Sequence, residues 1–307
     1  MKISTPLYFD RSTQMLTDVQ GKLAKTQEQL STGKEIVKPS DAPDKAAVVT
    51  RLESQIARQE GYLATLKSVN IRLTAEETAL KNTSDVLFRI KELTMQGANG
   101  TLSAQDRQSV ALEMRTLREQ ILSLANSQDV NGNYLFSGSR ASQPAFENDA
   151  SGRITYLGDH ARMKVDVGDN RRMNLNMPGS DTFVRVVRTN EKGEKVGVDF
   201  FQVLADAASA IESGDNTTVQ RGVVEIDALQ NGISEGLGQV GADLTVVDMQ
   251  TNVLDQMLLQ FKTTRSDVED LDYTEAITRL NRDQIALEAA QSSFAKISQL
   301  SLFQYIK

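Results

Sequence analysis

Cysteine and tryptophan are absent from the 307 residues, and there is one histidine. Without cysteine the chain has no disulfide, no thiolate metal site and no cysteine nucleophile. One histidine and no cysteine leave a catalytic triad or a transition-metal site almost without candidates. That histidine, His160, comes just after Gly158-Asp159 and reads as an exposed loop residue. Aromatic residues make up 5%, too few for a thick β-sandwich core. No apolar run approaches membrane-spanning length. Met1-Lys2-Ile3-Ser4-Thr5-Pro6 is not followed by the continuous apolar core of a signal peptide, so export, if it occurs, is expected without a cleavable signal. Lys and Arg number 34 against 41 Asp and Glu, a net charge of -7. That balance argues against nucleic acid, which needs clustered cations.

What the chain has in quantity is helical periodicity. With 39% hydrophobic and 24% charged residues, it fits one large or two to three small, mainly α domains. Both ends carry a heptad stripe. Near the start, Phe9, Leu16, Val19, Leu23 and Leu30 fall on alternating three- and four-residue steps, with Ser12 and Thr26 in the gaps. Near the end, Ala276, Leu280, Leu287, Ala290, Phe294 and Ile297 do the same, with Asp283 as the exception. Each stripe is one narrow apolar seam of the kind that packs into another helix. Because termini usually fray, apolar residues there imply a partner. The seams hold too few large side chains to offset the ordering of all the terminal residues. The ends are therefore expected to become helical only when many subunits pack together.

The first helix is expected over about Pro6 to Leu30, ending near Gly33. Pro39 and Pro43 interrupt the segment after it. Val49, Leu52, Ile56, Leu63, Leu66, Leu73, Leu80 and Leu87 then hold one register to Gly97. Ser103 with Asp106 forms a capping-box pattern, and the next helix is expected to reach Asn131-Gly132-Asn133. Between Tyr134 and Phe200 the period changes to alternation, at Met163/Val165/Val167, Val184/Val186 and Val196/Val198. Asn190 and Gly193 supply the turn of a hairpin between the last two runs. Helix returns over Phe200 to Ser213, and Val223 to Phe261 keep the longest seam. An acidic break over Asp267 to Asp272 precedes the last helix. The expected fold is mainly α: a long antiparallel helical bundle or coiled coil built by the two halves, with a small β-rich insert. The expected division is 1–42 with 272–307 as terminal coiled coil, 43–135 with 199–271 as helical core, and 136–198 as the insert.

No motif for catalysis stands up. Gly236-Leu237-Gly238-Gln239-Val240-Gly241 matches the dinucleotide fingerprint by letter. No strand precedes it and the helical seam runs through it, so small residues at a close helix contact explain it better. Asp129, Asn131 and Asn133 begin like a calcium loop, but Tyr134 replaces the required glycine and Arg140 the closing acid. No enzyme activity, cofactor or metal is expected.

Gln29-Leu30-Ser31-Thr32-Gly33-Lys34, leading into Pro39-Ser40-Asp41-Ala42-Pro43, resembles the N-terminal signature of the flagellin-like axial proteins of the bacterial flagellum. The opening Lys2-Ile3-Ser4-Thr5, the segment Gly132 to Ser139 and the ending Leu300-Ser301-Leu302-Phe303-Gln304-Tyr305-Ile306 are similar to the hook–filament junction branch of that family. The resemblance implies a structural subunit, exported through the flagellum's own channel and assembling into a ring of identical subunits. It implies a hook-side junction protein (hook-associated protein 1) and flagellin as partners, with a cytoplasmic export chaperone. Neither nucleic acid nor membrane is an expected partner. The assembly interface is expected at Phe9, Leu16, Val19, Leu23, Leu30, Leu280, Leu287, Phe294 and Ile297. A short flagellin is the alternative, and a cytosolic coiled-coil scaffold a more distant one.

Overall fold

The computed structural model describes residues 5–189 and 194–305, with side chains at 7, 9–189 and 194–296. Asn190 and Gly193, the expected hairpin turn, lie outside the described residues, as do Lys2 to Ser4, Ile306 and the side chains of Ile297 and of the segment 300–305. The chain is mainly α and forms two units, Met1–Gln59 with Gln256–Lys307 and Glu60–Asp255.

The first unit holds helix α1 (Thr5–Thr32), a 3-10 turn (Pro39–Asp41), the start of α2 (Pro43–Gly97), the end of α6 (Asn216–Glu269) and α7 (Tyr273–Tyr305). Helix α1 stops because Gly33 adopts a left-handed φ of 69°, which glycine enters without a Cβ penalty. Pro43 begins α2, where a missing N–H is no loss. Asp272 Oδ1 accepts the backbone N–H groups of Thr274 (2.8 Å) and Glu275 (3.2 Å), so the acidic break ends in a helix cap. Both terminal segments are helical in the single chain, whereas the sequence alone led to helix only on assembly. The reason is that each seam finds the other within the same chain.

The second unit is built on the rest of α2 and α6 with α3 (Ala104–Ala125) and α5 (Phe200–Ser213). Leu66, Leu73, Leu80 and Leu87 of α2 and Ile226, Ile233, Val240 and Val247 of α6 are buried in one core. Ser103 Oγ accepts from the Asp106 N–H at 3.2 Å while Asp106 Oδ2 accepts from the Ser103 N–H at 3.3 Å, the expected capping box. Helix α3 ends at Ala125, short of the expected Asn131 to Asn133. Two side chains compete for the backbone there. Asn126 exchanges hydrogen bonds with the backbone of Phe146 (2.8 and 2.9 Å), and Asp129 Oδ1 accepts from the N–H groups of Asn131 and Asn133 (2.8 and 3.0 Å). Such local bonds offer the chain an alternative to helix.

Among the described residues the β region is three separate two-stranded antiparallel sheets: β1 (Phe146–Asn148) with β2 (Ile154–Tyr156), β3 (Lys164–Gly168) with β4 (Arg171–Asn174), and β5 (Val186–Thr189) with β6 (Lys195–Val198). A one-turn helix, α4 (Gly179–Thr182), lies between β4 and β5. In the last hairpin Val186 pairs with Val198 and Arg188 with Val196. Two-stranded sheets are marginal alone, so the hairpins need a base. Phe146 and Phe183 supply it by packing edge-on against Phe201 and Phe200, with ring centroids 5.2 Å apart in each pair. Arg188 of β5 adds a charged tie, reaching both carboxylate oxygens of Glu225 on α6 (2.8 and 2.7 Å) and Asp206 on α5 (2.6 Å). Fixed bidentate geometry makes such a tie specific as well as strong. These partners hold the Arg188 guanidinium firmly charged, with its pKa raised.

Candidate assembly interface

Helices α1 and α7 run antiparallel. The Phe9 and Phe294 rings meet at a tilt with centroids 5.1 Å apart, the Thr26 hydroxyl lies 3.0 Å from the Lys22 carbonyl and 3.5 Å from Asp283 Oδ2, and the Gly33 carbonyl accepts from the Leu271 N–H at 3.0 Å. Residues early in one helix therefore meet residues late in the other. The two stripes read from the sequence lie on the facing sides of this pair.

Their burial is incomplete. Leu16, Val19, Leu23, Leu30, Leu280, Leu287 and Phe294 are each only partly covered, and Phe9 remains 43% exposed. Ala276 is fully buried. The side chain of Ile297 lies outside the described residues. Outward-facing apolar residues add to the uncovered surface: Leu7 and Met15 on α1, Ile277 and Ile285 on α7. Two helices alone cover one side of each other, and exposed apolar area of this kind is what a further helix removes from water.

One end of the pair is clasped. Lys34 and Asp270 form an isolated antiparallel bridge, and the Glu35 N–H donates to the Glu269 carbonyl at 2.7 Å. Lys34 also pairs with the Glu269 carboxylate, which Arg265 approaches at 3.6 Å. Gln29 Nε2 donates to the Glu35 carbonyl at 2.6 Å. A side chain at Gly33 would meet Tyr273 Oη at 2.9 Å, a contact the tyrosine can relieve by moving, so the left-handed φ is what calls for glycine here. Lys25 Nζ donates to Asp41 Oδ1 at 2.9 Å; with the Lys38 N–H it holds that carboxyl below the ordinary carboxylate range. Among these residues Gln29 entered the sequence reading only through the family signature, and Tyr273, three residues before Ala276, was missed.

The motifs set aside in the sequence have structural places. Gly236 lies mid-helix in α6, where an added Cβ would meet Thr182 Cγ2 at 2.6 Å. The close-contact explanation holds for Gly236, but not for Gly238 and Gly241, which have open space. His160 is exposed and bonds Ser180 Oγ through Nδ1 at 2.7 Å. Asp129 uses its carboxylate on its own loop and on Arg72 (3.0 Å). Burial works against its charge, but the hydrogen bonds from Asn133 and Asn131 outweigh that and lower its pKa. Among the described residues no group of three or more His, Cys, Asp or Glu could hold a metal ion.

Residues 3–141 match the bacterial flagellin N-terminal helical region, and residues 223–306 the bacterial flagellin C-terminal helical region. The chain belongs to the flagellin family. It is 27% identical over 318 residues to flagellar hook-associated protein 3 of Salmonella typhimurium, covering 99% of each chain. It is 24% identical over 304 residues to the flagellin of Listeria monocytogenes, covering 97% of this chain and 96% of that one. Flagellar hook-associated protein 3 of Legionella pneumophila has the same fold, with a TM-score of 0.61 at 18% identity over 72% of this chain and 98% of that one. The protein is a structural component of the bacterial flagellum.

Proposed function

We propose that the chain is the subunit of the hook–filament junction and joins the hook side to the flagellin filament without catalysis. The observation that carries this reading is the half-covered α1–α7 seam, in a chain that aligns from end to end with a hook-associated protein 3. Phe9, Leu16, Val19, Leu23, Leu30, Leu280, Leu287, Phe294 and Ile297 form the assembly interface, within terminal segments 1–42 and 272–307. Neighbouring copies complete the burial that one pair leaves unfinished, and a closed ring repeats that contact at every subunit. Hook-associated protein 1 on one side, flagellin on the other and a cytoplasmic export chaperone are the partners. The subunit reaches the cell exterior through the flagellar secretion apparatus, and the segment 136–198 is its outer insert.

Deletion of the gene tests the reading. A junction subunit leaves hooks without filaments and releases flagellin into the medium, both visible by electron microscopy and blotting. Loss of the filament subunit itself, with intact junctions, would identify a flagellin instead. Normal flagella would refute both.

A further inference from the structure

Asp283 is the single charged residue in the apolar stripe of α7. Its carboxylate faces Thr26, itself buried at 5% exposure, across the helix pair. A cleft of about 390 Å³ opens beside it, lined among others by Lys22, Arg279 and Arg282. The site is a polar notch in an apolar seam, with cations at its rim.

We infer that the Thr26–Asp283 contact fixes the register and choice of partner of the terminal helices. The inference rests on α1–α7 being the assembly element. The clasp ties only one end of the pair; along the rest, sliding one helix by a heptad keeps apolar residues facing apolar residues, so hydrophobicity alone cannot select among registers. The polar notch can. A slip in one direction sets Asp283 against Val19, which has no donor; in the other it sets Asp283 against Gly33, where α1 has already ended. The same slips set Thr26 against Ala290 or Ala276. A parallel pair of two α7 helices from different copies would place two Asp283 carboxylates in one layer, which like-charge repulsion disfavours. Of these one-heptad alternatives, only the observed register of α1 against α7 sets the carboxylate beside a hydroxyl.

The absence of native cysteine allows a direct test. Phe9→Cys with Phe294→Cys reports the observed register under a short bismaleimide. Phe9→Cys with Leu287→Cys reports a one-heptad slip. Each pair is combined with Asp283→Leu and with Asp283→Asn, and far-UV circular dichroism verifies the fold. In the otherwise native chain, intramolecular linkage is expected at 9–294 only. Asp283→Leu is expected to raise the thermal midpoint and to increase the 9–287 product and intermolecular 294–294 product about tenfold or more. Asp283→Asn, which keeps a polar side chain beside Thr26, is expected to keep one register. An unchanged slip product in Asp283→Leu, or as much slip in Asp283→Asn as in Asp283→Leu, overturns the register role and leaves the proposed interface standing. Failure of the 9–294 link in the native background removes the helix pair and overturns both.

Discussion

Glu76 is fully buried in the second unit, and neither carboxylate oxygen has a hydrogen bond of good geometry. Its one charged neighbour at contact, Arg72, lies 3.4 Å away and is shared with Asp129 and the carbonyls of Tyr134 and Leu135. Burial pushes the Glu76 carboxyl up from 4.5 to about 8, and the Arg72 cation and the Met177 backbone oppose that only in part. Between pH 4.5 and about 8 the folded chain keeps a proton that the unfolded chain releases, so stability falls as pH rises through that window. At about 1.36 kcal/mol per pH unit the loss reaches up to about 5 kcal/mol. Glu76→Gln removes the titration and keeps the shape. Urea unfolding at about pH 5 and pH 8.5, to either side of that window, measures the difference by far-UV circular dichroism. The native chain is expected to lose several kcal/mol between the two conditions. The variant is expected to lose much less, and to be the more stable of the two under the alkaline condition. Parallel pH dependences for both chains would refute the reasoning, because the carboxyl would then be ionised in the fold at no cost.

Replacing Leu287 and Phe294 together by Asp places two charges on the seam, and self-association followed by analytical ultracentrifugation is expected to vanish while urea unfolding of the second unit is unchanged. Arg188→Ala leaves Glu225, 6% exposed, with only the longer 3.6 Å contact to Arg221. The expected cost is about 3–5 kcal/mol, read from denaturant midpoints, and a cost below about 1 kcal/mol would mean that the tie is only decorative. Gly33→Ala meets both the positive φ of 69° and Tyr273 Oη at 2.9 Å. Roughly 1–2 kcal/mol of local stability should be lost, visible as faster hydrogen exchange at Glu35 and Leu271 rather than across the second unit.

Long-range order was the more legible part of the sequence. The heptads of Val49 to Leu87 and Val223 to Phe261 run through α2 and α6 because those helices bury one stripe along their length, and such stripes survive in any register. Ser103 and Asp106 were readable because a capping box is local. Helix α3 was read too long because Asn126 finds its partner at Phe146, twenty residues away, and sequence spacing does not show it. Strand β4, Arg171-Arg172-Met173-Asn174, was missed since only Met173 turns inward. The seams announced where the ends would pair, and Thr26 with Asp283 stood out as departures from the stripe. The clasp around Gln29, Glu35 and Glu269 is made of backbone groups and a side-chain amide, which carry no periodic signal.

The Lys34–Asp270 bridge closes a loop of about 240 residues. Bringing the ends of such a loop together costs about 5 kcal/mol in chain entropy beyond the fixed constant, a cost lowered once the residues between have folded. The terminal helices therefore meet last, and only in a chain that carries both of them. A subunit cut short anywhere before Tyr273 presents α1 without α7, with an apolar stripe and no answering one. The clasp thus couples the covering of the α1 stripe to the presence of α7.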